Sequence, residues 1–71
     1  MTPPEFRDTL TALQVTTGTV ALWVTADARL VRRWYSGARP VPDDVGAWLA
    51  GVAGWFAAHP PPVTRGRDRA E

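Results

Sequence analysis

Apolar residues recur at helical spacing near the start of the chain. Phe6, Leu10 and Leu13 fall at i, i+4 and i+7, which predicts one buried stripe on a helix over about residues 3–14. The residues before this stripe, 2–5, read Thr-Pro-Pro-Glu, which is typical of a capping box with threonine as the N-cap. The pattern therefore predicts a first helix with a well-defined start.

A second helix is predicted over about residues 28–36. Asp27 is a suitable N-cap residue, and Gly37 suits the left-handed position that follows a helix. Three apolar side chains form the predicted inward face: Leu30, Val31 and Trp34. The arginines of this segment then point away from the core. The connector 39–42 reads Arg-Pro-Val-Pro. It is expected to be extended, because a proline disfavours the helical conformation of the residue before it.

The last predicted helix begins at Asp43 and Asp44, whose charges are favourable at a helix N-terminus, and ends before the prolines 60–62. Its broad apolar face consists of Val45, Trp48, Leu49, Val52, Trp55 and Phe56. A second stripe of small residues, four apart, lets another helix approach closely: Gly46, Ala50, Gly54 and Ala58. Three glycines in one helix make it dependent on packing.

The segment 15–25 is ambiguous. Its many β-branched residues favour a strand or hairpin, with Gly18 as a possible turn. A helix is the alternative, with Thr16 as N-cap and with Val20, Ala21 and Val24 on one face.

Length and composition limit the function classes. The chain has 71 residues, no cysteine and one histidine, His59, so we expect one small domain without disulfides or a thiolate metal site. No spacing indicates a catalytic arrangement, so neither an enzyme nor a cofactor is expected. The longest uncharged run, 45–58, spans about 21 Å as a helix against a hydrocarbon core of roughly 30 Å. The first residues do not have the pattern of a signal peptide, so we expect the protein to be cytoplasmic and not membrane-bound.

Positive charge is concentrated in one stretch. All eight basic residues are arginine, and residues 28–42 contain four of them and no acid. The four are Arg29, Arg32, Arg33 and Arg39. A solvated helix face and an anionic partner, most often nucleic acid, both explain this cluster.

Once the segment 16–25 is read as a helix, residues 6–42 resemble the lambda-repressor-like helix-turn-helix domains, the Cro-like group. The twenty-residue unit 17–36 has alanine at its fifth position and tryptophan at its eighteenth, as members of that group do. Its other matching positions are Val20, Val24 and Val31. The run 30–42, Leu-Val-Arg-Arg-Trp-Tyr-Ser-Gly-Ala-Arg-Pro-Val-Pro, is similar to the end of the recognition helix in many small phage and bacterial regulators.

The resemblance implies an all-α, four-helix domain that binds double-stranded DNA as a small repressor, with helix 28–36 in the major groove. The base-contacting positions of the group correspond to Ala28, Arg29 and Arg33. The positions suited to phosphate contacts are Thr17, Arg32, Tyr35 and Arg39. An arginine can bond guanine O6 and N7 with two donors, whereas phosphate contacts position the protein without specifying sequence.

Four positions depart from the pattern of the group. Thr25 stands where glycine is usual, at a turn that needs a positive φ. Thr17 stands where glutamine is common, and Leu22 and Trp23 replace outward-facing charges. Either Leu22 and Trp23 pack under the first helix, or they form a surface for a protein partner. The second possibility is an alternative function, in which the fold binds a protein as an inhibitor or an antitoxin-like module.

The predicted organisation has two parts. Residues 1–59 form the DNA-binding domain, and 60–71 form a disordered tail. Because members of the resembled group bind two half-sites about 34 Å apart, we expect a homodimer. The last predicted helix, which begins at Asp43, has the only broad apolar face left after the core is packed. The dimer interface is therefore expected at Trp48, Val52 and Trp55, or at the small-residue stripe beside them.

Overall fold

The computed structural model describes residues 1–62, and these form four α-helices and no strand. The helices are α1 (Pro3–Leu13), α2 (Thr17–Val24), α3 (Ala28–Ser36) and α4 (Asp43–Ala58). The expectation of an all-α chain with four helices is therefore confirmed for this part of the sequence. The tail predicted from residue 60 lies outside the described residues from position 63 onward.

The start of α1 is fixed by the predicted capping box. The Glu5 N–H donates to the Thr2 hydroxyl at 3.2 Å, and the Thr2 N–H donates to the Glu5 carboxylate at 2.9 Å. The hydrogen bonds from Thr2 hold the pKa of Glu5 below its ordinary value. The helix ends one residue earlier than predicted, because Gln14 adopts a left-handed conformation with φ of 56°.

The ambiguous segment is helical. The Thr16 hydroxyl accepts a hydrogen bond from the Thr19 N–H at 3.2 Å and so caps α2. Val20 and Ala21 are buried, and Val24 packs beside them. Burial of this face against the other helices outweighs the strand preference of the β-branched residues, so the hairpin alternative is wrong.

The ends of α3 agree with the sequence prediction. Asp27 accepts the Arg29 N–H at 2.7 Å and caps the first turn. Gly37 follows the last turn with φ of 87°, in the left-handed region. A Cβ at Gly37 would also lie 3.3 Å from the Pro3 side chain, so both conformation and space favour glycine at this position.

The core lies where α3 packs against α1 and α2, and α4 packs against α1. Phe6 and Trp34 meet edge-to-face, with ring centroids 6.2 Å apart. The buried side chains are Phe6, Leu10, Val20, Ala21, Val31, Trp34, Val41 and Leu49. Because α3 is held from two sides, its outer face has a fixed orientation.

Only the first half of α4 belongs to this core. Leu49 is fully buried, and Gly46 is buried beside Met1. After Leu49 no side chain of α4 is buried, although Val52 is half-buried. The broad apolar face predicted for α4 is therefore covered only near its N-terminal end, and Trp55 remains exposed.

Candidate nucleic-acid interface

The outer face of α3 carries three exposed arginines. At 100° per residue, Arg29 and Arg33 lie about 40° apart around the helix axis, roughly opposite the buried Val31 and Trp34. Arg32 lies about 100° from Arg33, toward one flank of the helix. Burial of one side of α3 thus presents two arginines along one line and a third beside them.

Arg29 is paired with the residue that caps its own helix. Its Nε lies 3.6 Å from the Asp27 carboxylate, and its side chain is 79% exposed. The Arg29 N–H, together with the positive charges of Arg29 and Arg32, holds the pKa of Asp27 below its ordinary value. An exposed pair of this kind is weak, so an incoming anion can compete for the Arg29 guanidinium.

The C-terminal end of α3 is fixed by Arg7 of α1, a contact that the sequence did not indicate. Arg7 Nη1 donates to the Tyr35 carbonyl oxygen at 2.7 Å. The Arg7 guanidinium carbon also lies 5.8 Å from the centre of the Tyr35 ring. Arg7 satisfies one of the carbonyl groups that have no partner within a helix end, and it therefore positions α3 without belonging to the outer arginine face.

A groove of about 660 Å³ lies between α1, the start of α2 and α3. Three of the predicted phosphate-contacting residues line it: Thr17, Arg32 and Tyr35. Gln14 and Thr16 line the same groove and were not among the predicted site residues. The groove thus combines a guanidinium, hydroxyl groups and an amide at the N-terminal end of α2, where backbone N–H groups favour an anion.

The other predicted contact residues lie outside this groove. Arg39 is exposed beyond the end of α3, and its backbone N–H donates to the Arg33 carbonyl at 3.2 Å. Ala28 is half-buried and packs against the core, so only part of its methyl group is free. The structure therefore brings together Thr17, Arg32 and Tyr35, and it aligns Arg29 with Arg33.

Leu22 and Trp23 do not pack under α1, so that alternative is wrong. Leu22 is 82% exposed, and Trp23 retains 45% exposure. The Trp23 ring meets Trp48 of α4 edge-to-face, with centroids 5.9 Å apart. The whole of α3 separates Trp23 from Trp48 in the chain. Their contact therefore depends on how α4 docks, and no local sequence pattern indicates it.

Comparisons with protein-family models, with curated proteins and with solved structures found no match for this chain. Among residues 1–62, no His, Cys, Asp and Glu side chains cluster in a way that could hold a metal ion. The helices of the same residues include none with the length and apolarity needed to cross a membrane. The features that bear on function are therefore the arginine face of α3, the groove beside it and the exposed aromatic side chains.

Proposed function

We propose that this chain is a sequence-specific, DNA-binding transcriptional regulator of lambda-repressor-like type, with α2 and α3 forming a helix-turn-helix. The observation that carries the proposal is the outer face of α3, where Arg29 and Arg33 are exposed and aligned while the opposite face is buried. A helix of this form fits the major groove of double-stranded DNA. The proposal involves neither catalysis nor a cofactor, and it implies a cytoplasmic location.

Base contacts are assigned to the aligned arginines. Arg29 and Arg33 each carry a planar guanidinium that can donate two hydrogen bonds to guanine O6 and N7. Ala28, at the start of α3, contributes a methyl contact to thymine. When the chain binds DNA, Arg29 gives up its weak ion pair with Asp27 and bonds the base edge. Asp27 therefore lowers the affinity of the chain for DNA.

Phosphate contacts are assigned to Thr17, Arg32 and Tyr35, which share one groove beside α3. Arg39, beyond the end of the helix, takes a further phosphate. Arginine contacts of this type are independent of sequence, and their removal reduces the salt dependence of binding. A single domain makes few contacts, so we propose that two copies bind paired half-sites about 34 Å apart.

The experiment compares two variants on one helix. Arg33→Ala is expected to weaken binding to the cognate site by roughly 1–3 kcal/mol and to relax base preference at one position per half-site. Arg32→Ala is expected to weaken cognate and random DNA alike and to reduce the salt slope by about one for each phosphate that is no longer neutralised. Fluorescence anisotropy titrations at several salt concentrations, first on the DNA upstream of the chain's own gene, measure both effects.

Arg29→Ala is expected to behave like Arg33→Ala, since the two side chains lie on the same line of α3. If the Arg33 and Arg32 variants lose affinity equally for every sequence, α3 does not read bases. If neither variant changes DNA affinity, the second candidate function is favoured.

That second candidate is binding of a protein partner through Leu22 and Trp23. The observation in its favour is the 82% exposure of Leu22 at the end of α2, where regulators of the resembled group have charged residues. Leu22→Ala would then abolish the function of the chain while leaving DNA affinity unchanged.

A further inference from the structure

The second half of α4 is a helix without a covering surface in the described chain. After Leu49, no side chain of α4 is buried. Trp55 in this half is 63% exposed, and Trp48, just before Leu49, is 47% exposed. Short helices are marginal in water without tertiary packing, and large apolar surface exposed to water is unfavourable. The composition of this half therefore indicates a surface that is covered in the functional state.

Two glycines of α4 are not required by packing within residues 1–62. A Cβ added at Gly51 or Gly54 would meet nothing within 4 Å. At Gly46, by contrast, an added Cβ would lie 3.0 Å from the Met1 Cβ. Glycine in a helix interior is destabilising relative to alanine, so the glycines at 51 and 54 have no explanation in the fold of one copy.

Gly51 lies on the same side of α4 as the two exposed tryptophans. It is about 60° from Trp48 and about 40° from Trp55 around the helix axis, whereas Gly54 is about 120° and 100° from them. The positions Trp48, Gly51 and Trp55 follow the three-and-four spacing of helices that pair by inserting side chains between those of a partner. Val52 lies on the other side of the same line.

The exposed aromatic area is close to what a stable dimer needs. An aromatic side chain buries up to about 250 Å², so Trp23, Trp48 and Trp55, at 45%, 47% and 63% exposure, present roughly 400 Å². A standard interface takes about 800 Å² from each partner, of which about 60% is apolar. Trp23 joins the α4 surface through its contact with Trp48.

We propose that α4 pairs antiparallel with α4 of a second copy of this chain, about a two-fold axis that passes between Gly51 and Val52. Positions whose numbers add to 103 are then opposite each other, so Trp48 faces the partner's Trp55 and Gly51 faces the partner's Val52. The absent side chain at Gly51 allows the helices to approach between the tryptophans. A two-fold pair uses the same surface on both copies. This proposal identifies the surface through which the two copies of the proposed DNA-bound pair meet. Pairing through α4 does not itself require DNA.

The test is sedimentation equilibrium of the full chain without DNA, comparing Gly51→Glu with Gly54→Glu. Both variants add one charge, both replace glycine with a better helix former, and an added Cβ at either position meets nothing within 4 Å in its own copy. Wild-type chain is expected to dimerise in the micromolar range. Gly51→Glu is expected to raise the dimer Kd by more than about 30-fold, as for a central interface position, and Gly54→Glu by less than about threefold.

Circular dichroism of both variants verifies that each monomer keeps its helices. A wild-type chain that remains monomeric at about 100 μM, well above the micromolar Kd expected here, would overturn the proposal. Equal effects of the two glutamates on Kd would also overturn it, because only Gly51 lies on the same side of α4 as the tryptophans.

Orientation is tested with cysteines, since the chain has none of its own. In this register Asp44 is opposite position 59 of the partner, where His59 follows the last turn of α4 and stacks on Trp55 with ring centroids 4.5 Å apart. A mixture of Asp44→Cys and His59→Cys chains is expected to form the mixed disulfide on mild oxidation. Disulfides formed mainly between identical variants would instead indicate a parallel pair and would overturn the antiparallel assignment.

Discussion

The connection between α2 and α3 stores backbone strain at one β-branched residue. Thr25 has φ of 55° and ψ of 48°, in the left-handed region, which costs an L-residue roughly 1–2 kcal/mol. Thr25→Gly removes this cost but gives the unfolded chain more freedom, an opposing effect of about 0.4–1 kcal/mol. We therefore expect a net stabilisation of about 0.5–1 kcal/mol, which corresponds to a rise in Tm of about 2–8 °C for a domain of this size.

The assay is thermal unfolding followed by circular dichroism at neutral pH, with Thr25→Ala as the matched control. Alanine removes the exposed Thr25 side chain yet keeps the left-handed cost, so its Tm is expected near that of the wild type. A Tm for Thr25→Gly at or below that of Thr25→Ala would refute the reasoning. In that case the Thr25 side chain, and not its backbone, determines the stability of the turn.

Three further predictions concern α3 and α4. Gly37→Ala forces a left-handed alanine, with its Cβ 3.3 Å from the Pro3 side chain. The left-handed cost of about 1–2 kcal/mol is partly offset by the reduced freedom of the unfolded chain, so the unfolding free energy in urea should fall by about 0.5–1 kcal/mol. Unchanged stability would show that the turn relaxes. Because the pKa of Asp27 is lowered in the fold, its capping contribution is present above the ordinary Asp pKa and lost as pH falls through the lowered value. Asp27→Asn should therefore lose less helicity than the wild type between about pH 5 and 2. A plot of helicity against pH identical to that of the wild type would contradict this. Leu49→Ala, at a fully buried position, should lower the unfolding free energy by about 2–5 kcal/mol in the same urea assay. Leu22→Ala, at an exposed position, should change it by no more than about 0.5 kcal/mol. Similar losses for the two variants would contradict the burial assigned to these residues.

The helix ends were predictable from sequence because their determinants are local. The Thr2–Glu5 capping box, the Asp27 cap and the left-handed Gly37 each depend on residues within a few positions of one another. Hydrogen bonds of this short range follow from residue type and spacing alone. The helical state of α2 was not determined in this way, because it depends on the burial of Val20 in the assembled core.

The side chains that complete the candidate site were less predictable. Arg7 holds the Tyr35 carbonyl across 28 positions of sequence, and no local pattern indicates that contact. Trp23 packs against Trp48 because of the way α4 docks on α1. The alignment of Arg29 with Arg33, by contrast, follows from helical spacing and could be predicted from sequence.

Selection from a random duplex DNA library tests the central claim most directly, because the operator sequence emerges from the selection itself. The wild-type chain is expected to enrich two half-sites about 34 Å apart, each with a guanine contacted by Arg33. Arg33→Ala chain, selected in parallel, is expected to lose the preference at that guanine and to keep the rest of the motif. A wild-type chain that retains no duplex at low salt, or that retains all sequences equally, would contradict the account.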